Sequence, residues 1–198
     1  MQTITALVFN NFETLDLYGV VEMFGRLPKQ YRLQFASISG SLIHNHHGVT
    51  LPTTAIASLE YPTDVLLIVG GPGTRDLVHD SEFLYELSCF SHTANWVLSV
   101  CTGSALLAKA GVLDGLRATS NKRAWQWVIS QSDSVVWQPQ ARWVVDDKFY
   151  TSSGVSAGMD MTLGFIADRH GVGTARQIAY DVEYRWHEDR HNDEFCPR

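Results

Sequence analysis

Apolar positions along this chain fall into two alternating rhythms, short continuous runs and helical stripes. Ile4-Thr5-Ala6-Leu7-Val8-Phe9 reads as a buried strand, and Glu13 to Leu27 then sets Leu17, Val20, Val21 and Phe24 on one helical stripe. Arg32 to Ile38 alternates as a second strand, while His44 to Leu51, broken by Gly48, reads as a hairpin arm. Asp64-Val65-Leu66-Leu67-Ile68-Val69 is apolar almost throughout, as a central parallel strand covered on both faces must be, and it runs into Gly70-Gly71-Pro72-Gly73. A helix over Ser81 to His92, a strand over Trp96 to Val100 and a helix over Thr102 to Ala110, closed by Gly111, follow. Beyond the turn Leu113-Asp114-Gly115 the pattern predicts a short strand near Ala118, a helix over Lys122 to Ser130, and strands near Val135 to Trp137 and Trp143 to Val145. Phe149-Tyr150-Thr151 reads as the last core strand, with helices over Gly158 to His170 and Thr174 to Tyr184. Strands separated by crossover helices predict an α/β sandwich with a mostly parallel sheet, and such sheets build their sites beyond the carboxyl ends of the strands.

Composition narrows what the sandwich can be. With 198 residues, 45% hydrophobic and 18% charged, and no linker-like tract, one domain over 1–198 with a substantial core is expected. A formal charge of −6 with no run of Lys or Arg argues against nucleic acid as a partner. No segment approaches the roughly 20 apolar residues of a membrane span, and Met1 leads straight into a strand, so no membrane association and a cytoplasmic location are expected. Cys89, Cys101 and Cys196 fit neither a disulfide framework nor zinc-ligand spacing, so free thiols are expected, Cys89 in core packing or partly buried and Cys196 exposed. His44, His46 and His47 hint at metal spacing, yet without an acidic or cysteine companion nearby they read as exposed hairpin histidines, and no metal is assigned.

The candidate chemistry centres on Cys101. In Val97-Leu98-Ser99-Val100-Cys101-Thr102-Gly103-Ser104 a buried-strand pattern becomes a helix pattern with only the cysteine between. That junction predicts a sharp turn presenting the side chain, with the N–H groups of the new helix favouring a thiolate nucleophile. The alternative is a small thiol packed under a helix. The topology brings Asp16, Gly70-Gly71 and Cys101-Thr102 to the same sheet edge, a constellation for covalent catalysis in which Gly71 and Thr102 would donate N–H groups to developing negative charge. Asp16 and Cys101 cannot both ionise side by side, so they should share a proton.

Four segments now carry a resemblance: Val8-Phe9 with Glu13-Thr14-Leu15-Asp16-Leu17-Tyr18-Gly19; Leu67-Ile68-Val69-Gly70-Gly71-Pro72-Gly73; Ser99-Val100-Cys101-Thr102-Gly103-Ser104; and Thr151-Ser152-Ser153-Gly154-Val155-Ser156-Ala157-Gly158-Met159-Asp160. In this order they resemble the ThiJ/PfpI family, of the class I glutamine amidotransferase-like group. Asp at 16 and Thr directly after the cysteine resemble its isonitrile hydratase branch more than the protease, amidase or glyoxalase branches. The resemblance implies a flavodoxin-like three-layer sandwich with a nucleophile elbow, a homodimer, no metal or organic cofactor, a small electrophilic substrate, and Cys101, Asp16 and Thr102 as catalytic residues with Gly70 and Gly71 at the oxyanion site. Hydration of an isonitrile through a cysteine thioimidate to an N-substituted formamide is the activity it implies. Amidase-, protease- or glyoxalase-like hydrolysis and a ligand- or redox-sensing module stand as alternatives. The segment beyond Gly171 is too short for a two-motif DNA-binding domain, which disfavours a complete regulator.

This sequence departs from that branch at Ser120-Asn121-Lys122-Arg123-Ala124-Trp125, where a His-Trp pair is common, and the altered segment is expected to bear on the pocket. Trp125 and Trp127, two apart, cannot share a helical face, so at most one would reach it. Val155 to Asp160, rich in small residues, is expected to permit close packing under the cysteine. Tyr184 to Phe195 reads as a solvated or dimer-contacting helix end.

Overall fold

The computed structural model describes residues 1–196, so the last two residues of the expected 1–198 domain lie outside the described residues. In chain order the elements are β1 (Gln2–Leu7), α1 (Thr14–Gly25), β2 (Tyr31–Ser37), β3 (Leu42–His44), β4 (Thr50–Pro52), β5 (Thr54–Ala55), β6 (Val65–Ile68), α2 (Thr74–Leu77), α3 (Ser81–Thr93) and β7 (Trp96–Ser99). They continue with α4 (Gly103–Lys109), β8 (Arg117–Ala118), α5 (Trp125–Ile129), β9 (Val136–Trp137), β10 (Trp143–Asp146), β11 (Phe149–Ser152), α6 (Ala157–His170) and α7 (Val172–Asp181).

Seven strands form one sheet in the order β10-β11-β7-β6-β1-β2-β5, parallel except for the antiparallel β10–β11 pair. The step from β1 to β2 runs one way across this sheet and the step from β6 to β7 the other. Right-handed crossovers therefore put α1 and α3 on opposite faces. α6 packs beside α1 and α7, whereas α4 packs beside α2, α3 and α5. Strands covered on both faces have nowhere to place a polar side chain cheaply, which is why Val65, Leu66, Leu67 and Ile68 of β6 are all fully buried.

The reversal of direction occurs between β1 and β6, and the carboxyl ends of β1, β6 and β7 lead directly into residues 8–16, 70–74 and 100–103. The site assembles there. Gly158, expected as a close-packing position, lies so near Val100 that a Cβ would come within 2.8 Å of its Cγ1. This contact seats the start of α6 under the cysteine.

The elements differ from expectation mostly at their ends. The arm expected over His44 to Leu51 is the short pair β3 and β4, with the turn falling inside the expected segment. The Lys122 to Ser130 helix shortens to α5 because Asn121 caps a preceding turn by accepting from Ala124 N–H at 2.9 Å. The terminal stretch is a larger correction: residues 183–196 are not helical but fold back onto α6 and β10. Asp160, fully buried, gathers this segment, accepting from Tyr184 Oη (3.0 Å), His187 N–H (2.9 Å) and Arg142 Nε (2.7 Å). Arg142 also approaches the buried Asp193 at 3.6 Å. Tyr184 and Asp193 therefore join a buried network, while Arg185, Glu188, Asp189, Arg190, Glu194 and Phe195 stay exposed: the stretch is solvated along most of its length, and what is corrected is its helical conformation.

Removing one member of a buried ion pair leaves the other charge uncompensated. Arg142→Met should lower unfolding free energy by about 3–5 kcal/mol, measured by urea denaturation; a loss below about 1 kcal/mol, the value of an exposed pair, would show that the network contributes no more than surface charges do.

Candidate active site

Cys101 is the middle of the three residues between β7 and α4, with φ at 57°, a left-handed conformation uncommon for a residue with a Cβ. Backbone hydrogen bonds hold it there: Cys101 N–H donates to Ser153 O at 3.0 Å and Gly103 N–H to Val100 O at 2.9 Å. The Cys101 carbonyl accepts from Ser120 Oγ at 2.8 Å and Ser104 Oγ at 3.2 Å. The sharp turn read from the sequence is thus pinned from β7, β11 and the segment after β8.

Cys101 is 6% exposed and lines a cavity of about 650 Å³ together with Glu13, Arg75, Thr102, Asn121, Arg123 and Val155 among others. Thr102 N–H and Val155 N–H point at it, and Asn121 Nδ2 donates at 3.1 Å. Because Asn121 Oδ1 is committed to Ala124 N–H, the amide is fixed with its NH₂ toward the sulfur. The departure at 120–125 therefore forms a wall of the site, as the sequence led one to expect. Asn121 and Val155 themselves were not singled out as site residues. For Asn121 the signal was the departure itself; Val155 carries φ 43°, rare for a β-branched residue, and no sequence cue announces it.

Asp16 lies on the first turn of α1, fully buried. Its Oδ2 accepts from Gly70 N–H at 2.9 Å, while Oδ1 has no hydrogen-bond partner among the described residues. Burial dominates and pushes the carboxyl up to about 8, reinforced by the Glu13 charge and opposed by Gly70 N–H and the neighbouring thiol. Burial likewise pushes the Cys101 thiol up to about 12, the Asp16 charge adding to it. This corrects the expectation of a thiolate favoured by the helix start: α4 has only 7 residues, and its N–H groups do not offset desolvation. The two acids are adjacent, as expected, and at neutral pH the carboxyl holds its proton.

The glycines are also placed differently in their chemistry. Gly70 N–H is spent on Asp16, and Gly71 N–H donates to Thr102 Oγ1 at 3.0 Å, so the expected Gly71 donor holds the site together instead of facing the sulfur. Thr102 Oγ1 also accepts from Thr74 Oγ1 at 3.1 Å, linking the elbow to the loop after β6. Gly71 has φ 129° and a Cβ there would meet Asn11 O at 2.5 Å, so only glycine fits this crossing.

Other expectations need revision. Cys89 is exposed and Cys196 half-buried, each the reverse of its expected setting, because Cys89 falls on the outer face of α3 and the terminal segment folds inward. His46 and His47 lie in the turn between β3 and β4, and the fold supplies the acidic companion the sequence seemed to lack: their ligand atoms and that of Glu13 lie within 4.8 Å of one another. His47 Nδ1 bonds Thr14 Oγ1 at 2.7 Å. Neither Trp125 nor Trp127 lines the cavity; Trp125 packs on Trp137, and Trp127 carries the guanidinium of Arg75 at 3.8 Å.

Comparison with known proteins gives a consistent picture. The model of the DJ-1/PfpI family matches residues 2–168. An isonitrile hydratase of Pseudomonas putida is 31% identical over 180 residues, covering 90% of this chain and 76% of that protein. An HTH-type transcriptional regulator, GbdR, of Pseudomonas aeruginosa is 28% identical over 86% of this chain but only 47% of its own length. A ThiJ/PfpI family protein from Pseudomonas syringae superposes with a TM-score of 0.80 at 28% identity, covering 92% of this chain and 75% of that one. Among the described residues no helix is long and apolar enough to cross a membrane.

A carboxyl raised in the folded state makes that state hold an extra proton between its unfolded value of 3.8 and about 8. The stability this proton confers is complete below the lower value and is lost as pH rises through the upper one. Asp16→Asn should therefore gain stability relative to the parent as pH rises from 4 to 8, in urea titrations at each pH. A flat difference across this window would mean that the carboxyl is not held protonated.

Proposed function

Because the chain belongs to the DJ-1/PfpI family and sets a protonated buried carboxyl against a cysteine elbow, we propose that it hydrates isonitriles to N-substituted formamides. The observation that carries this reading is the Asp16–Cys101 pair, in which a general acid at neutral pH lies beside the nucleophile, together with the likeness to the P. putida hydratase. The terminal carbon of R–N≡C needs a proton and a nucleophile in one step. Asp16 gives its proton to that carbon as the sulfur bonds to it, and the thiol's proton returns to the carboxylate. The product is the thioimidate R–N=CH–S–Cys101. Water then adds to the same carbon, the C–S bond breaks, and R–NH–CHO leaves with the thiol restored.

Each neighbour has a part in this scheme. Thr102 N–H, Val155 N–H and Asn121 Nδ2 stabilise charge on the sulfur as its proton departs. Gly70 N–H steadies the carboxylate, and Gly71 and the Thr102 hydroxyl lock loop to elbow. The working unit in this reading is a homodimer acting on a small electrophile. The likeness to a transcriptional regulator favours a second reading, in which the cavity retains a ligand without turning it over.

Formamide production from a panel of aliphatic isonitriles, followed by chromatography, tests the proposal. Cys101→Ala should abolish it, and Asp16→Asn should lower kcat by about 10²–10⁴. Activity should fall as pH rises through about 8, where Asp16 loses the proton it must donate. Absence of formamide would overturn the reading; turnover of amides or α-oxoaldehydes would replace it with hydrolytic or glyoxalase-like chemistry, and tight binding without turnover with the sensing module.

A further inference from the structure

Two arginines stand in the wall of the Cys101 cavity. Arg75 is held by three features. Its guanidinium carbon lies over the Trp127 ring, 3.8 Å from the centroid, its Nη1 donates to Thr74 Oγ1 at 3.2 Å, and Thr74 in turn bonds the Thr102 hydroxyl at the elbow. It is near enough to the sulfur for a charge on Cys101 to stabilise the guanidinium. Arg123 enters from the altered segment, two residues past the Asn121 that contacts the sulfur.

Among the described residues neither arginine makes an ion pair with a carboxylate. Among the described residues Glu13 is the one carboxylate that lines the cavity, and it is drawn sideways toward His47, 3.9 Å away. The cavity therefore presents two uncompensated guanidinium groups beside a nucleophile in a chain whose formal charge is −6. An overall negative field discourages anions, so local positive charge at this one mouth acts as a selector. A guanidinium stays protonated at neutral pH, and its planar fork matches a carboxylate in two parallel hydrogen bonds. Stacking on Trp127 removes rotamer freedom before any ligand arrives, which lowers the ordering cost of such a contact.

We infer that Arg75 and Arg123 form an anion clamp that selects electrophiles bearing a carboxylate near the reacting carbon. Resting on the proposed hydration, this makes the preferred substrate class isonitriles of carboxylic acids rather than neutral alkyl isonitriles. Arg75 and Arg123 are specificity residues here, and Trp127 is a positioning residue that acts through Arg75.

The test separates this inference from the reaction itself by alkylating Cys101 with iodoacetate and with iodoacetamide, alike in reacting carbon but differing in charge. Adducts are counted at Cys101 by peptide mass spectrometry, which sets Cys89 and Cys196 aside. The ratio of the iodoacetate to the iodoacetamide rate should fall about 10- to 100-fold in Arg75→Gln/Arg123→Gln, as expected for loss of hydrogen bonds to a charged group. Arg75→Lys, which keeps the charge but not the fork, should fall between, and Trp127→Ala should shift the ratio in the same direction as Arg75→Gln. A ratio that does not change in the double variant, with its fold confirmed by circular dichroism, overturns the clamp and leaves the hydration untouched. A shifted ratio without formamide from any isonitrile upholds the clamp and removes the hydration. Both reagents are applied at alkaline pH, because the thiol is held protonated at neutral pH; failure of both to reach Cys101 there would mean that the cavity admits no small electrophile and would overturn both readings.

Discussion

The left-handed turn at Cys101 is the constraint on which the site depends. A side chain in the middle of β7 would point into one of the helical layers, and one in the middle of α4 would lie along the helix flank. Only at the junction, with φ at 57°, does the sulfur stand at the end of the sheet where the loops after β1 and β6 can reach it. This conformation costs of order 1–3 kcal/mol, and it persists because Ser153, Ser120 and Ser104 each hold one side of the Cys101 peptide groups. Two distant stretches of chain and the residue's own following turn thus converge on one backbone before its side chain does any chemistry.

Burying a carboxyl beside that sulfur sets the electrostatics. Ionising either group is opposed by desolvation, and ionising both by their mutual repulsion, so the pair resists losing protons at neutral pH. What distinguishes this arrangement from an activated thiolate site is where the proton resides. A thiolate in waiting would suit attack on a substrate that needs no acid. A protonated carboxyl suits a substrate whose own carbon must take up the proton, and it makes the thiol slow to oxidise or alkylate until a reactant arrives. The ring of N–H donors about the sulfur then matters most during the reaction rather than at rest.

Much of the frame was legible because it depends on local patterns. Continuous apolar runs mark β1, β6 and β7, a strand passing straight into a helix marks the cysteine, and the double glycine marks the crossing after β6. From these, Asp16, Cys101, Thr102, Gly70 and Gly71 could be placed at one edge. What escaped depends on contacts between distant residues. That Gly70 and Gly71 spend their N–H groups internally follows from a side chain at 16 and a hydroxyl at 102 arriving at the same place. Glu13 joining His46 and His47 requires the β3–β4 turn to bend over the start of α1. The fate of the terminal stretch hung on Asp160, which in sequence is one carboxylate at a helix start and in the fold is the buried hub for Tyr184, His187 and Arg142. The shift of the thiol pKa turned on weighing a seven-residue helix against burial, and burial cannot be read from a cysteine's neighbours in sequence.

The returning terminal segment also bears on β10. This strand pairs with β11 on one side only, and on the main chain at its start the N–H groups of Arg142 and Trp143 both turn to Arg190 O, at 2.8 and 3.4 Å. An outermost strand with idle amides is a template on which another chain can add itself. By occupying those two donors the returning segment closes the start of this rim with the chain's own backbone, so the sheet's outermost main-chain groups there are already spoken for.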